Sequence, residues 1–394
     1  MKAIVAGAGI AGLVTARQLG LAGWDVELLE KSRAPRSDGY MMDFFGPGVE
    51  ASERIGLYPR LAASAYQIES ADYVDAAGRR TCSIDYGQFS RLAGGKVLSL
   101  LRPDIERAAL SALGDVPEGR VRLSYWTRVL RAWTDDGGAH VAVDGAPEDV
   151  LTADVLVGAD GIHSVVRAAL FGPDTDCLRL LGMRAAAFIV TDPALNARFR
   201  NRFILTDTID RMAGLYSLRN DEVAAFLVYR APRDGSVPEL QAVRERLRAE
   251  FAGATEAVDR LLELCPEHPY DDVVAQVVLP CWQKQRAVLV GDAAGAVSLL
   301  AGQGGSLAIA GAALLGDILG PVNASDQINS ALARFDKEWR PVVEVAQASG
   351  RRAAASFLPR NRAQRLLRRW IIRGTRLPGI DRLVARQILR TIAK

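Results

Sequence analysis

Gly7, Gly9 and Gly12 fall in the spacing Gly-x-Gly-x-x-Gly within Gly7-Ala8-Gly9-Ile10-Ala11-Gly12, directly after the apolar run KAIVA. Leu13, Ala16, Leu19 and Leu21 then repeat on one side of a helical pattern. Such a turn suits a phosphate. Its first glycine permits the tight bend, its second lets the backbone approach a pyrophosphate, and its third allows close packing of a helix whose N-terminus faces the anion. WDVELLE follows as a second strand ending at Glu30-Lys31, 18 residues past Gly12, where an acid bonds a ribose 2′-hydroxyl. Strand, glycine turn, helix and strand in this order form the βαβ unit of a doubly wound sheet, so the hexad predicts dinucleotide binding.

Two further segments carry chemistry. In Asp154-Val-Leu-Val-Gly-Ala-Asp160-Gly161-Ile-His-Ser164-Val-Val-Arg167 a strand ends in Asp-Gly, with Ser and Arg a turn later, as at a capped helix start beside an anion. In Gly291-Asp292-Ala293-Ala294-Gly295, followed by Gly302-Gln303-Gly304-Gly305 and an apolar helix, an acid can bond a polyol hydroxyl while the helix N-terminus offers positive potential to a developing anion.

The elements around these segments predict the architecture. VEASERIGL and DIERAALSAL read as helices, KVLSLL, VRLSY and HVAV as strands, and VLTADVLVGAD as one buried strand. RAAAFIV, RFILTDT, RMAGLYSLR and EVAAFLVYR are successive strand-like runs, followed by helical VPELQAVRERLRAEFAG and by DDVVAQVVLP. RAVLVGDAAG returns to a buried strand and turn, and the last 70 residues read as helical. The expected fold is α/β: a Rossmann-like nucleotide domain over 1–170, with 40–100 partly in a second domain, a mostly antiparallel β-sheet domain inserted at 171–280, the return of the first domain at 281–325, and C-terminal helices over 326–394.

Composition agrees with this size. At about 150 residues per domain, 394 residues make two to three domains. Apolar residues at 49%, charged residues at 24% and a mean hydropathy of +0.07 exclude a disordered chain. Cys82, Cys177, Cys265 and Cys281 lie far apart without a C-x-x-C pair, which disfavours a zinc ribbon or a disulfide framework and suggests a reducing compartment. With no signal-peptide pattern and glycines breaking the long apolar stretch at 287–316, a cytoplasmic, soluble chain is expected. His140, His163 and His268 are isolated, so no metal site is expected, and Ser306 in GGSLA fails the nucleophile elbow at its last position.

The net charge of +3 is unevenly spread. Residues 351–394 hold twelve Arg and Lys394 against Asp381 alone, a surplus of twelve, while the rest of the chain carries a deficit of nine. Arg382, Arg386 and Arg390 oppose Val384, Ile388 and Ile392 on a helical repeat. A solvated face of a docked helix is preferred there over an acidic partner or an anionic membrane, and no aromatics interleave as nucleic-acid binding requires.

In order and spacing the three segments resemble the single-component flavoprotein monooxygenases, the class that includes aromatic hydroxylases and tetracycline-inactivating enzymes; the resemblance covers about residues 1–320. It implies that the hexad holds the ADP part of FAD, that DVLVGADGIHSVVR is the family's Asp-Gly motif serving FAD and NAD(P)H, and that Asp292 of VLVGDAAG bonds the ribityl chain. Arg102 sits where the family carries an arginine on the flavin, and Asp43 looks like the FAD-contacting acid of the tetracycline-inactivating branch. The FAD-binding set so implied is Gly7, Gly9, Ile10, Ala11, Gly12, Glu30, Lys31, Asp43, Arg102, Asp160, Gly161, Gly291, Asp292, Gly302, Gly304, Gly305 and Ser306. Arg36 lies near an arginine that serves NADPH in that branch. The pattern departs at Gly295 and Ser298, where the family has His and Pro, and at Ser306 and Gly311, where it has Asn and Asp.

The implied activity is an FAD-dependent, NAD(P)H-using monooxygenase acting on an apolar, polycyclic or polyketide-like small molecule, with O2 adding at the flavin C4a and the hydroperoxide delivering one oxygen atom. No catalytic side chain is assigned. The four departures motivate an alternative in which FAD is structural and the pocket performs a non-redox cyclisation or only binds a ligand. The monomer and the homodimer are both compatible with the sequence.

Overall fold

The computed structural model describes residues 1–35, 39–144, 146–232 and 242–374. Arg36 and the arginine repeat at Arg382, Arg386 and Arg390 lie outside them.

Lys2–Ala6 is apolar after its first residue because it is covered on both faces, the pattern of a central parallel strand. It pairs in parallel with Asp25–Leu29 on one side and Val155–Gly158 on the other, with Ile4 opposite Leu156 and Ala3 opposite Val26. Val121–Ser124, Ala287–Leu289 and Gln283–Lys284 complete a six-stranded sheet. The helices Ile10–Leu21, Arg102–Ser111 and Gly304–Leu319 share one hydrophobic core with it. The fold is therefore α/β, with the Rossmann-like domain the glycine hexad predicts.

A seven-stranded sheet lies beside it, in the order Tyr270–Val277, Leu178–Thr191, Glu222–Arg230, Arg211–Ser217, Arg202–Thr206, Ser70–Val74 and Arg80–Asp85. All its pairs are antiparallel except Arg202–Thr206 with Ser70–Val74. One face is packed by the helices Pro193–Phe199, Val243–Phe251 and Glu256–Leu264 through Phe188, Leu215, Leu227, Phe251 and Leu261. The other face meets Met41 and Leu101 of a two-stranded ribbon, Met41–Phe44 with Leu98–Leu101.

VLTADVLVGAD differs from expectation. It is two strands: Ala146–Ala153 closes a three-stranded antiparallel sheet with Val129–Asp135 and Gly138–Val143, and only Val155–Gly158 enters the parallel sheet. Asp154 makes the break, its carboxylate accepting the Lys2 amide at 2.8 Å. Hydropathy cannot place that break, because both strands are apolar.

The 30-residue helix Ile328–Phe357 spans both sheets. Its buried Gln347 donates to Val277 O and Ala296 O, while Gln276 donates to Val297 O and Gln347 O. The loop after Gly295 is thus fixed to the edge strand of the large sheet.

Arg167 is fully buried and joins two of the sequence motifs, donating to Ile162 O at 2.5 Å, to Ala293 O at 3.1 Å and to Asp174 at 2.5 Å. Arg167→Met removes these donors and leaves buried carbonyls unpaired, so a loss of about 2–3 kcal/mol is expected. Urea unfolding checks this: the midpoint should fall at unchanged slope, and an unchanged midpoint would deny the strut its role.

Candidate active site

Three strands of the parallel sheet, Lys2–Ala6, Asp25–Leu29 and Val155–Gly158, end side by side, and the turns that leave them make the site. Gly7 has φ +99°, and a Cβ there would lie 2.6 Å from Ala159 O and 2.8 Å from Asp160 Cα. A Cβ at Gly12 would lie 1.8 Å from Gly7 O. The first and third glycines are therefore required by backbone contact. Gly9 is the N-cap of Ile10–Leu21 and supplies no side-chain cap, so the first amides of that helix remain open to a ligand. Gly304–Leu319 likewise starts behind Gln303 without a side-chain cap.

A cavity of about 530 Å3 follows these turns, a size suited to a cofactor. Glu30, Lys31, Thr127 and Arg128 line one end; Gly7, Gly9, Arg102, Asp160 and Gly161 line its middle; Tyr40, Tyr270, Asp272 and Asp292 line the other end. A smaller space of about 60 Å3 shares Tyr40, Tyr270 and Asp292 with it and is also lined by Ser298, Gly302 and Gly304. Its lining includes residues from both the parallel sheet's loops and the large antiparallel sheet.

Glu30 is more constrained than the motif alone suggests: its two oxygens accept the Ala8 and Ser32 amides at 2.8 and 2.9 Å. Asp160 also turns back onto its own motif, accepting from Ser164 Oγ at 2.5 Å and from the Val165 amide at 2.7 Å. Arg102 pairs with Glu106 at 2.9 Å while facing the cavity. Burial works against its charge but is outweighed by the carboxylates of Glu106 and Asp292, so the guanidinium is held firmly cationic. Asp292 opens onto the cavity; enclosure by protein raises its carboxyl above the usual range and Arg102 pulls it back.

Other expected residues sit behind this surface. Asp43 lines neither space; its oxygens accept from Ser99 Oγ at 2.8 Å and Tyr86 Oη at 3.0 Å, and burial raises its carboxyl. Ile10 and Ala11 belong to the core under the hexad, and a Cβ on Gly291 would meet Ala11 Cβ at 2.7 Å. Gly305 packs on Met42, and Ser306 Oγ donates to Phe45 O at 2.6 Å and accepts from the Gly48 amide at 2.9 Å.

The departures at Gly295 and Gly311 have a packing cause. A Cβ on Gly295 would lie 2.8 Å from both Trp282 and Val343, and one on Gly311 would lie 2.4 Å from the Trp339 ring. Two indoles occupy the volume that side chains at these positions would need. Ser298 keeps φ +85° without being glycine, a conformation costing of order 1–3 kcal/mol, and it lines the small space.

Phe226 and Tyr270 carry no local signal in the sequence. Tyr40 packs at a tilt against Phe226 at 5.3 Å and Tyr270 at 6.3 Å, bringing the ribbon and the antiparallel sheet together over the cavity. Burial pushes the Tyr40 phenol up to about 12 and raises Tyr270 too, so both remain protonated donors. His163, isolated from other ligand-type residues in the sequence, bridges Asp174 at 3.1 Å and Asp272 at 3.2 Å across the two sheets. The Asp272 bond, and then Asp174, outweigh desolvation and raise His163 to about 9.

The residues present fit FAD: uncapped helix N-termini and Lys31 suit a pyrophosphate, Glu30 lines the cavity end where a ribose would lie, and Arg102 and Asp292 face the cavity as a cation for the ring and a polyol acceptor would. A family model described as FAD binding domain matches residues 1–349. The chain belongs to that family and is an FAD-dependent enzyme of the single-component flavoprotein monooxygenase class. It is 27% identical over 91% of its length to a flavin-dependent monooxygenase from an unknown prokaryotic organism, of which it covers 90%. It superposes on the crystal structure of the tetracycline destructase Tet(55) with a TM-score of 0.78 and 27% identity, covering 95% of each chain. It also shares the fold of Klebsiella pneumoniae HpxO, crystallised with FAD and uric acid, with a TM-score of 0.80 at 20% identity, covering 100% of this chain and 97% of that one.

The His163 bridge has a signed pH consequence. Its value rises from about 6.5 unfolded to about 9 folded, so its stabilisation is complete below 6.5 and is lost as pH rises through 9. His163→Gln should flatten the decline of the urea midpoint across that window; an unchanged decline would place it in other groups.

Proposed function

We propose that this chain is an NAD(P)H-dependent monooxygenase that inserts one atom of O2 into an apolar, polycyclic or polyketide-like small molecule. The observation that supports the reading is the wall the two spaces share: Tyr40, Tyr270 and Asp292 line both the cavity suited to the dinucleotide and a smaller one also walled by Met42, Val273, Ala275 and Leu299. A small-molecule substrate would thus meet the reactive end of the cofactor among apolar groups and two neutral phenols.

Bound FAD supplies electron transfer from the nicotinamide and activation of O2. The protein's part is to bind and orient. The hexad amides and Lys31 would hold the diphosphate, Glu30 the ribose and Asp292 the polyol, while Arg102, held cationic, would stabilise negative charge on the reduced ring. Tyr40 and Tyr270 would donate hydrogen bonds to a substrate carbonyl or enol, and the aromatic wall they form with Phe226 would exclude water from the reacting atoms. The antiparallel sheet of 171–280, with Ser70–Asp85, would roof the substrate. Four free thiols, three of them buried, fit a reducing cytoplasm. The non-redox alternative loses part of its motivation, because Trp282 and Trp339 account for Gly295 and Gly311 by packing.

Anaerobic titration of the purified holoenzyme with NADPH and NADH, followed by O2, tests the reading. Flavin bleaching and reoxidation, faster with a polycyclic ligand present, are expected; bound FAD that resists both nicotinamides with ligand present would overturn it. Arg102→Ala and Asp292→Ala should each lower the flavin content of the purified protein, and full flavin content in both would overturn the site assignment. Tyr270→Phe should keep FAD and slow ligand-stimulated oxidation about tenfold, the loss of one hydrogen bond worth about 1.4 kcal/mol.

A further inference from the structure

The helix Arg362–Gly374 is mounted inside out. Arg365, Arg368, Arg369 and the buried Ile372 face the protein, and its other large apolar residues face away. Asp207, a fully buried carboxylate at the end of the strand Arg202–Thr206, accepts from Arg368 Nη2 at 2.8 Å and from Arg369 Nε. Arg365 reaches Asp207 O at 3.4 Å, Arg373 donates to Thr81 O at 2.7 Å, and Arg368 lies 4.8 Å over the Tyr73 ring. On the opposite face Leu366, Leu367, Trp370 and Ile371 are between 49% and 72% exposed. At spacings of one and four residues they form one contiguous patch.

Rolling the helix to bury this patch would strip Asp207 of both guanidinium partners and leave a buried carboxylate unpaired. The ion pairs therefore hold the apolar face outward. Exposed Arg362 and Arg373 lie on the same helix, exposed Arg352 and Arg360 precede it in the chain, and residues 351–394 carry a surplus of twelve positive charges. A second copy of the chain would bring two such surpluses together. An anionic surface with an apolar interior removes both the exposed patch and the excess charge, and a tryptophan among aliphatic residues flanked by arginines is the pattern of a helix lying in a lipid interface. No described helix is long and apolar enough to cross a membrane.

We propose that the outward face of Arg362–Gly374 docks the enzyme on an anionic lipid surface, with Leu366, Leu367, Trp370 and Ile371 entering the interface and the exposed arginines meeting the headgroups. This places the enzyme where apolar molecules concentrate.

The test is co-sedimentation of the full-length, FAD-loaded protein with vesicles of mixed phosphatidylglycerol and phosphatidylcholine, against phosphatidylcholine alone. Pelleting with the anionic vesicles only, reversed by salt, is expected. Leu367→Glu/Trp370→Glu should lower the bound fraction about tenfold at unchanged flavin content. If that variant misfolds, tryptophan emission decides: a blue shift on adding anionic vesicles should occur in the natural protein and vanish in Trp370→Phe. Protein that stays in the supernatant with anionic vesicles, or pellets equally on phosphatidylcholine, would overturn the proposal. So would a dimer in sedimentation velocity that the double variant dissociates, since the patch would then belong to a second copy.

Discussion

The tightest constraint in this molecule is the backbone contact between the turn at Gly7 and the turn at Ala159-Asp160. Two neighbouring parallel strands end at the same level, and their exits are so close that a single methyl group on Gly7 would overlap the Ala159 carbonyl. That closeness brings the uncapped start of Ile10–Leu21 and the Asp-Gly motif onto one cavity. From there Arg167 extends the frame to Ala293, and Gln347 extends it from Ala296 to the edge of the antiparallel sheet. Each tie is a buried hydrogen bond to a backbone carbonyl, so the site's walls are fixed by main-chain geometry more than by the identity of exposed side chains.

Substitution within such a frame must conserve volume. Glycines at 295 and 311 would leave holes beside the apolar helix Gly304–Leu319, and the indoles of Trp282 and Trp339 stand there instead. Filling those holes from neighbouring elements keeps the core dense. Ser306 shows the same economy in another form. Its hydroxyl joins Phe45 O to the Gly48 amide, so this position serves as a hinge pin between the ribbon and the apolar helix.

The parts of this arrangement that were legible in the sequence are those whose physics is local. A glycine forced by a turn, a strand covered on both faces and an acid-glycine pair at a strand end each leave a signature within a dozen residues, and the FAD-binding fold follows from their order. The wall made by Tyr40, Phe226 and Tyr270 leaves none, because it depends on which strands of a seven-stranded sheet become neighbours. His163 lies inside a recognised motif, yet its charge depends on Asp272, more than a hundred residues away in sequence. Asp43 and Glu30 show the converse: residue type and spacing locate an acid, but only its partners tell whether its oxygens are already engaged by Ser99 and Tyr86, or by the Ala8 and Ser32 amides.

The C-terminal helix carries this limit furthest. An amphipathic pattern specifies two faces and is silent on which one turns inward; the usual expectation buries the apolar face. Here a single carboxylate reverses the choice. Asp207 is inaccessible to water and sits beside Thr81, so it requires cations from whatever element covers it, and Arg368 and Arg369 supply them. Once those pairs form, the penalty for separating a buried charge from its partners exceeds what covering four partly exposed side chains would return. A buried acid on one sheet thus decides the surface chemistry of a helix more than 150 residues later in the chain, and it leaves the molecule with an apolar face that only something outside the described residues can cover.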